Sequence, residues 1–169
     1  MNARKLELVA DPDKPTIVTR RVVDAPRSLV FDAFTRPEHL KRWMKPRTLT
    51  VVLCECDLRV GGGWRMVYRA PDGQEFGFHG EFREIARPKR IVRTFVFEPF
   101  PEQEALETLA LDETEGRTTI TTLTVHKTIH GRDGHLAHGM EAGMTDGYAQ
   151  LDELLAAMLR GGAPAEAAR

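Results

Sequence analysis

The chain is short of the residues on which several common chemistries depend. Its 169 residues include two cysteines, Cys54 and Cys56, and a single serine, Ser28. The C-x-C spacing is poor geometry for a disulfide, so no disulfide framework is expected. Ser28 lies at the start of a predicted helix, where the strand-turn-helix nucleophile elbow of serine hydrolases cannot be built. Serine hydrolase chemistry is therefore excluded.

The chain also lacks an excess of charge of either sign and any long apolar run. It has 24 Lys and Arg against 25 Asp and Glu, a formal net charge of -1, and 41% hydrophobic residues. This is ordinary globular composition and does not suit a dedicated nucleic-acid binder. No segment approaches the roughly 20 apolar residues of a membrane-spanning helix, and residues 1–14 are too charged for a signal peptide. We expect a cytoplasmic protein without membrane insertion.

Motifs for cofactors and metals are missing as well. The glycine run Gly61–Gly63 is followed by Trp64 and Arg65 rather than by Lys and Ser or Thr, and no G-x-G-x-x-G opens a helix. There is no H-E-x-x-H motif. Four histidines fall across a strand end and a glycine-rich turn, where we interpret them as polar loop and helix-start residues: His126, His130, His135 and His138. No cofactor and no metal site are expected.

Composition divides the chain into one folded unit and two ends. Residues 1–15 carry two prolines and alternating charge, which is typical of a flexible segment. Residues 161–169 are small, polar and interrupted by proline, which indicates a disordered tail. The remaining residues, 16–160, are long enough for a single domain with one core.

The folded unit opens with a strand and two short helices. Residues 16–23 are rich in β-branched side chains and predict a strand, and apolar spacing predicts helices over 26–34 and 37–43. The pair resembles a helix-turn-helix beside a basic patch: Arg36, Lys41, Arg42, Lys45 and Arg47. The second helix is only two turns long, so we do not expect nucleic-acid binding.

The pattern then alternates with a period of two for about eighty residues, which predicts an antiparallel meander of six strands. Trp64, Met66 and Tyr68 share one face of their strand, and we expect that face to be buried. In the strand over 91–97 the pattern leaves two inward sets open: Arg93, Phe95 and Phe97, or Val92, Thr94 and Val96.

A helical period returns over 134–160 and predicts one long final helix. Gly139, Gly143 and Gly147 recur every four residues in it, and each costs about 1 kcal/mol relative to alanine. Two explanations are open: close packing of the helix against a strongly curved sheet, or space beneath the helix for a ligand.

The order β-α-α-β6-α, an α+β arrangement with a curved sheet around a long carboxy-terminal helix, resembles the helix-grip fold of START lipid-transfer domains, the birch pollen allergen family and polyketide cyclases. The motifs resemble more closely the family named for activators of the ninety-kilodalton heat-shock protein ATPase. They are Ala25-Pro26, Val30–Thr35, Pro37–Leu40, Arg42-Trp43, Asp57–Gly62, Gly80–Ile85, Gly147-Tyr148 and Leu151–Leu155.

The resemblance implies an internal apolar cavity between the sheet and the long helix, often in a homodimer, and no universal set of catalytic residues. The chaperone-activating, stress-related role belongs to longer eukaryotic members with an additional domain, so only the shared domain is implied here. The chain departs from the family pattern at Met44, where a second aromatic is usual, and at Tyr148, where tryptophan is frequent.

We expect a small apolar or aromatic molecule to bind in that cavity, and ordinary core is the competing interpretation of each apolar residue. The candidate lining residues are Trp43, Trp64, Met66, Tyr68, Phe76, Phe78, Phe95, Met140, Met144 and Tyr148, with Cys54, His79 and Arg93 as polar contacts.

Two other functions remain open. The chain could be a cyclase- or aromatase-type enzyme with His79 or Glu81 as general base, which needs a perturbed pKa and reach to the substrate. It could also be a chaperone-related interaction module that uses the basic residues over 36–47 or the segment 98–115, which contains seven Asp and Glu and no Lys or Arg.

Overall fold

A computed structural model describes residues 4–167 of the chain, and the side chains of residues 4–161. In this part of the chain there are eight strands and four helices. The strands are β1 Glu7–Val9, β2 Thr16–Val23, β3 Thr50–Cys56, β4 Gly63–Arg69, β5 Glu75–Ala86, β6 Arg90–Phe97, β7 Ala105–Thr114 and β8 Arg117–Val125. The helices are α1 Arg27–Thr35, α2 Pro37–Trp43, α3 Ile129–Ala137 and α4 Met140–Ala167.

All strands form one antiparallel sheet in the order β1-β2-β8-β7-β6-β5-β4-β3. The predicted strand over 16–23, the two short helices and the six-strand meander are confirmed. β1 lies inside the segment predicted to be flexible and pairs with β2, and Leu6 beside it is 8% exposed. Arg132 of α3 holds the loop between β1 and β2, because its guanidinium donates to the carbonyls of Asp11 and Lys14 at 2.5 and 2.8 Å.

The concave face of the sheet carries the core. Period-two alternation places Ile120 of β8 on this face, opposite Phe31 of α1 and Leu151 of α4 in one apolar cluster, and none of the three side chains is exposed. Arg21 of β2 and Asp152 of α4 form a two-point ion pair, with N–O distances of 2.9 and 2.6 Å. This pair fixes α4 across the sheet.

The inward face of β6 consists of Ile91, Arg93 and Phe95, which line the cavity, and Phe97, which stacks on the inward Phe78. Val92, Thr94 and Val96 point to the other face and are also buried. The alternation in β6 alone could not decide between these sets, because both are shielded from solvent. A register shift between Phe82 and Glu84 of β5 adds to the irregular pairing of these two strands.

Because Gly80 of β5 has no side chain, the Trp64 indole and the Thr94 carbonyl can lie close to its backbone. A Cβ atom at this position would lie 1.9 Å from the Thr94 carbonyl oxygen and 2.5 Å from the indole nitrogen of Trp64. That indole N–H donates to the same carbonyl at 3.1 Å. The backbone N–H of Glu81 instead donates to the Thr94 hydroxyl at 2.8 Å. Gly80 therefore positions Trp64 against β6.

The predicted long carboxy-terminal helix is confirmed, but its predicted start at residue 134 is wrong. The chain forms α3 and α4, and between them Gly139 adopts a left-handed backbone with φ of 77°. α3 begins earlier than predicted because the Thr128 hydroxyl caps it by accepting from the Gly131 N–H at 2.9 Å. The backbone of α4 is helical through Ala167, and residues 168–169 of the predicted disordered tail lie outside the described residues. No helix among residues 4–167 is long and apolar enough to cross a membrane.

Candidate functional site

A cavity of about 330 Å³ lies between the sheet, the first turns of α4 and the segment that follows α2. Eleven of the thirteen residues that the sequence suggested as ligand contacts line it. They are Trp43, Trp64, Met66, Tyr68, Phe76, Phe78, Arg93, Phe95, Met140, Met144 and Tyr148. The structure thus brings together side chains from α2, β4, β5, β6 and α4.

Aromatic rings form the wall of the cavity on the sheet side. The rings of Phe78 and Phe97 stack with centroids 4.9 Å apart, and Phe78 and Phe95 are 5.3 Å apart. Trp64 lies 5.9 Å from Phe95. These contacts join neighbouring strands through side chains on the same face of the sheet, and they leave a continuous apolar surface that faces α4.

Two glycines of α4 determine how closely this helix approaches the residues after α2. A Cβ atom on Gly147 would lie 3.0 Å from the Trp43 carbonyl oxygen, and one on Gly143 would lie 3.6 Å from Cγ of Pro46. The third glycine, Gly139, is at the helix break. The close packing offered as one explanation for the glycines therefore exists, but its partner is the end of α2 with the segment that follows it, and not the curved sheet.

The polar part of the wall is an ion pair on β6 and β7. Arg93 Nε donates to a carboxylate oxygen of Glu107 at 2.8 Å, and both side chains are largely buried. The Arg93 guanidinium also lies 4.0 Å from the centre of the Trp64 ring. Sequence analysis missed Glu107 because it belongs to an acidic segment typical of a solvated surface. Its phase in β7, two residues before the buried Leu109, was the available signal.

Tyr148 closes the cavity from α4 and is 3% exposed. Its ring lies 5.7 Å from the Trp43 ring, and the Arg21 guanidinium lies 5.6 Å from its centre on another side. Burial raises the pKa of the Tyr148 hydroxyl, and the charge of Glu107 raises it further. The hydroxyl is therefore protonated at neutral pH.

His135 lines the end of the cavity nearest α3, and His126 lies beside it outside the cavity wall. The His135 ring stacks on Phe95 with centroids 5.5 Å apart, and its Nδ1 lies 3.0 Å from Nε2 of His126. Burial lowers the pKa of His135 to about 4, and nearby His126 lowers it further. Burial also lowers the pKa of His126. The interpretation of these residues as polar loop residues is wrong for this pair, because α3 packs them against the sheet.

Two of the suggested polar contacts, His79 and Cys54, are not at the cavity. His79 follows the inward Phe78 and therefore projects from the outer face of β5, where its Nδ1 lies 2.8 Å from a Glu98 oxygen. Cys54 is on the inner face of β3 and packs against the core, but it does not line the cavity. Burial raises its pKa to about 11.

The general base proposed for an enzyme is also absent from the cavity. Glu81 lies on the outer face of β5, half exposed, with a carboxylate oxygen 3.2 Å from Nε of Arg83. Hydrogen bonds from Arg65 and His79, together with their charges, lower the pKa of Glu98 on the same face to about 2. His79 and Glu81 therefore cannot reach a molecule inside the cavity.

Several lining residues were not suggested by the sequence, because their positions depend on packing between distant segments. They are Phe34, Met44, Lys45, Pro46, Leu49, Phe82, Ile91, Glu107, Leu109, Thr122, His135, His138, Gly143 and Gly147. Within the described residues, no group of three or more His, Cys, Asp or Glu side chains could hold a metal ion.

Several solved structures share this architecture. A protein from Rhodobacter sphaeroides is 26% identical, with 90% of this chain and 99% of that chain covered and a TM-score of 0.83. A Nitrosomonas europaea protein has the same identity and coverage and a TM-score of 0.79. An AHSA1-like protein from Aeromonas hydrophila shares the fold at 19% identity, with 82% and 93% of the chains covered and a TM-score of 0.67.

The family comparison agrees with the structural one. No protein with a curated description shows significant sequence similarity to this chain. The family model described as Activator of Hsp90 ATPase homolog 1-like protein matches residues 24–156. This span includes α1 and α2, the six-strand meander and α4 through residue 156, which is beyond the part of α4 that lines the cavity. The predicted helix-grip fold is confirmed, and the chain belongs to the family of activator of Hsp90 ATPase homolog 1-like proteins.

Proposed function

We propose that this protein binds a small apolar or aromatic molecule in the cavity between the sheet and α4. The observation that supports it most strongly is the cavity of about 330 Å³, which is within the size range of small-molecule sites and is lined mainly by aromatic and methionine side chains. A site of this kind gains most of its affinity from apolar burial, and a few polar groups orient the ligand.

The packing around the cavity supports the same proposal. Phe78, Phe95 and Met144 face the interior and yet keep accessible surface, whereas Leu151 and Leu154 further along α4 are completely enclosed. Accessible apolar surface in a concave site is favourable to cover. Methionines at the roof, Met140 and Met144, are flexible enough to adjust to ligands of different shape.

Binding is a better account than acid-base catalysis by the residues first considered for it. His79 and Glu81 are on the outer face of β5, on the opposite side of the strand from Phe78. A general base must come within hydrogen-bond reach of the proton that it removes. The proposal therefore includes neither residue. We also propose that the protein is cytoplasmic and forms a homodimer, as the sequence and its family resemblance suggested.

Native mass spectrometry of gently purified protein tests the proposal, because one spectrum reports the subunit count and any retained molecule. We expect an adduct of defined mass. Met144→Trp fills the cavity from α4 and should lose the adduct, while Glu81→Gln, on the outer face, should retain it. Acetylnaphthalene, an uncharged aromatic ketone, serves as a test ligand. If wild-type protein carries no adduct and also fails to bind acetylnaphthalene added in solution, the proposal is wrong.

A further inference from the structure

Within the described residues, the cavity contains one hydroxyl group on a buried side chain that no protein atom satisfies. In the described part of the chain, five buried side chains with a nitrogen or oxygen donor line the cavity, and four of them are paired. Trp43 Nε1 donates to the Ala33 carbonyl at 2.8 Å, Trp64 Nε1 to the Thr94 carbonyl at 3.1 Å, the Tyr68 hydroxyl to the Met44 carbonyl at 2.6 Å, and Thr122 bonds to the Thr19 hydroxyl. The fifth, Tyr148, has no hydrogen-bond partner.

The Tyr148 hydroxyl keeps accessible surface, since among the described residues the one buried side-chain atom without a partner is Nδ1 of His126. A small molecule in the cavity can therefore reach this hydroxyl. The high pKa of this hydroxyl keeps its proton in place, so it can donate one hydrogen bond. A ligand that supplies an acceptor oxygen would satisfy it inside the cavity.

The charges around the cavity limit what the rest of the ligand can be. Arg93 and Glu107 neutralise each other, and Arg21, behind the Tyr148 ring, is held by Asp152. His135 has a pKa of about 4, so its ring is neutral at physiological pH. A carboxylate ligand would therefore lose its hydration and approach Glu107 without an unpaired buried cation to compensate it. Lys45 is the one lining cation without a described ion-pair partner, and it is half-buried.

We propose that the ligand is an uncharged, mainly aromatic molecule with a carbonyl oxygen that accepts a hydrogen bond from the Tyr148 hydroxyl. This inference rests on the proposed function and specifies its ligand class. The aromatic wall of Trp64, Phe78 and Phe95 covers the ring system, and the single donor sets the orientation. The paired charges disfavour an ionised group at the same place.

Three probes with the same ring system test the inference by titration calorimetry: acetylnaphthalene, isopropylnaphthalene and naphthoate. The first has a carbonyl group, the second replaces that group with a hydrocarbon of similar shape, and the third has a negative charge. In wild-type protein we expect acetylnaphthalene to bind at least about tenfold more tightly than naphthoate.

Tyr148→Phe removes only the hydroxyl. We expect it to weaken acetylnaphthalene about three- to tenfold, the net value of one hydrogen bond, and to leave isopropylnaphthalene unchanged or tighter. Because the hydroxyl is unpaired in the free protein, this substitution should not lower the Tm. Tyr68→Phe is the comparison, since the Tyr68 hydroxyl already donates to Met44. It should change the affinities for the ketone and the hydrocarbon by the same factor.

Each other result contradicts the inference in a distinct way. An equal loss for ketone and hydrocarbon in Tyr148→Phe, or a fall in its Tm, would mean that the hydroxyl has a structural partner. Tighter binding of naphthoate would assign an anionic ligand, with Lys45 as its counter-charge. If none of the three probes binds, the proposed function fails, and this inference fails with it.

Discussion

The two halves of the α4 interface differ although they share one helix and one sheet face. The solid half comprises α1, β2, β8 and residues 151–158 of α4, and there Phe31, Ile120 and Leu151 have no exposed surface. The hollow half comprises β4 to β6 and residues 140–148 of α4, and there Met140 and Met144 roof the cavity. Leucine and isoleucine fill the first half, whereas glycine, methionine and aromatic rings surround space in the second.

This difference shows how one helix can both stabilise the domain and form a site. Apolar side chains in close contact contribute most of the stability of a domain, so the solid half can support the fold. The hollow half is then free to leave apolar surface accessible, because the ion pair between Arg21 and Asp152 and the core around Leu151 already hold α4 in place.

The largest expected effect comes from truncating one side chain in each half of α4. Leu151→Ala should reduce the free energy of unfolding by about 2–5 kcal/mol, because it leaves a void in close-packed core. Met144→Ala should cost less than about 1 kcal/mol, because its side chain already borders empty space. Urea unfolding of both variants gives the comparison. Equal losses would mean that the hollow half is packed like the solid one.

Stability should also fall as the pH decreases, through the pair of histidines near the end of the cavity. The folded-state pKa of His135, about 4, is below its ordinary value of 6.5, and that of His126 is also lowered. The unfolded chain therefore binds more protons between pH 6.5 and about 4, so this stability is complete above pH 6.5 and is lost as the pH falls.

The expected slope is at most about 1.4 kcal/mol per pH unit for each histidine, measured as the free energy of unfolding between pH 7 and pH 4. His135→Leu should reduce this slope, because the leucine has no proton to bind. His130→Ala, at an exposed position of α3, should keep it. An unchanged slope in His135→Leu would show that other groups cause the loss.

A smaller change in stability should distinguish Gly143 and Gly147, the two glycines in the part of α4 that lines the cavity. Gly143→Ala should stabilise the protein by about 0.5–1 kcal/mol, because the helix gains propensity and the new methyl group has ordinary contacts. Gly147→Ala should destabilise it by about 1 kcal/mol, because its methyl group would press on the Trp43 carbonyl oxygen. Thermal unfolding of the two variants measures the difference. Stabilisation by both would show that the segment after α2 yields easily.

The smallest effect is expected on the outer face of the sheet. Glu98→Gln removes the ion pairs with Arg65 and His79, which are exposed and screened by solvent, so the free energy of unfolding should change little. Affinity for acetylnaphthalene should be unchanged, because the cavity is on the opposite side of β5. A clear loss of affinity in this variant would mean that the outer face contributes to binding.

The sequence predicted the elements and most of the cavity wall, because period-two alternation and apolar type identify inward residues such as Trp64, Met66 and Phe78. It failed where three-dimensional packing decides. The break at Gly139 could not be separated from helical glycines at 143 and 147 by spacing alone. Cys54 was suggested by residue type, but no residue of β3 lines the cavity. His79 was suggested in the same way, although its alternation with Phe78 already indicated the opposite face of the strand.

The polar side chains of the cavity were the hardest to predict. Glu107 and His135 come from an acidic segment and a glycine-rich turn, both of which are usually exposed. Their burial depends on Arg93 from β6 and on the packing of α3, which are distant in sequence. No local pattern encodes such contacts.

The central claim is that the hollow half, and not the solid half, accepts a small molecule. The most direct test is a titration of isotopically labelled protein with acetylnaphthalene, followed by proton-nitrogen correlation NMR. We predict shifts of both indole N–H signals, those of Trp43 and Trp64, and of amides near Met144, with little change near Ile120 and Leu151. An absence of shifts, or shifts concentrated in the solid half or on the outer face, would contradict this account.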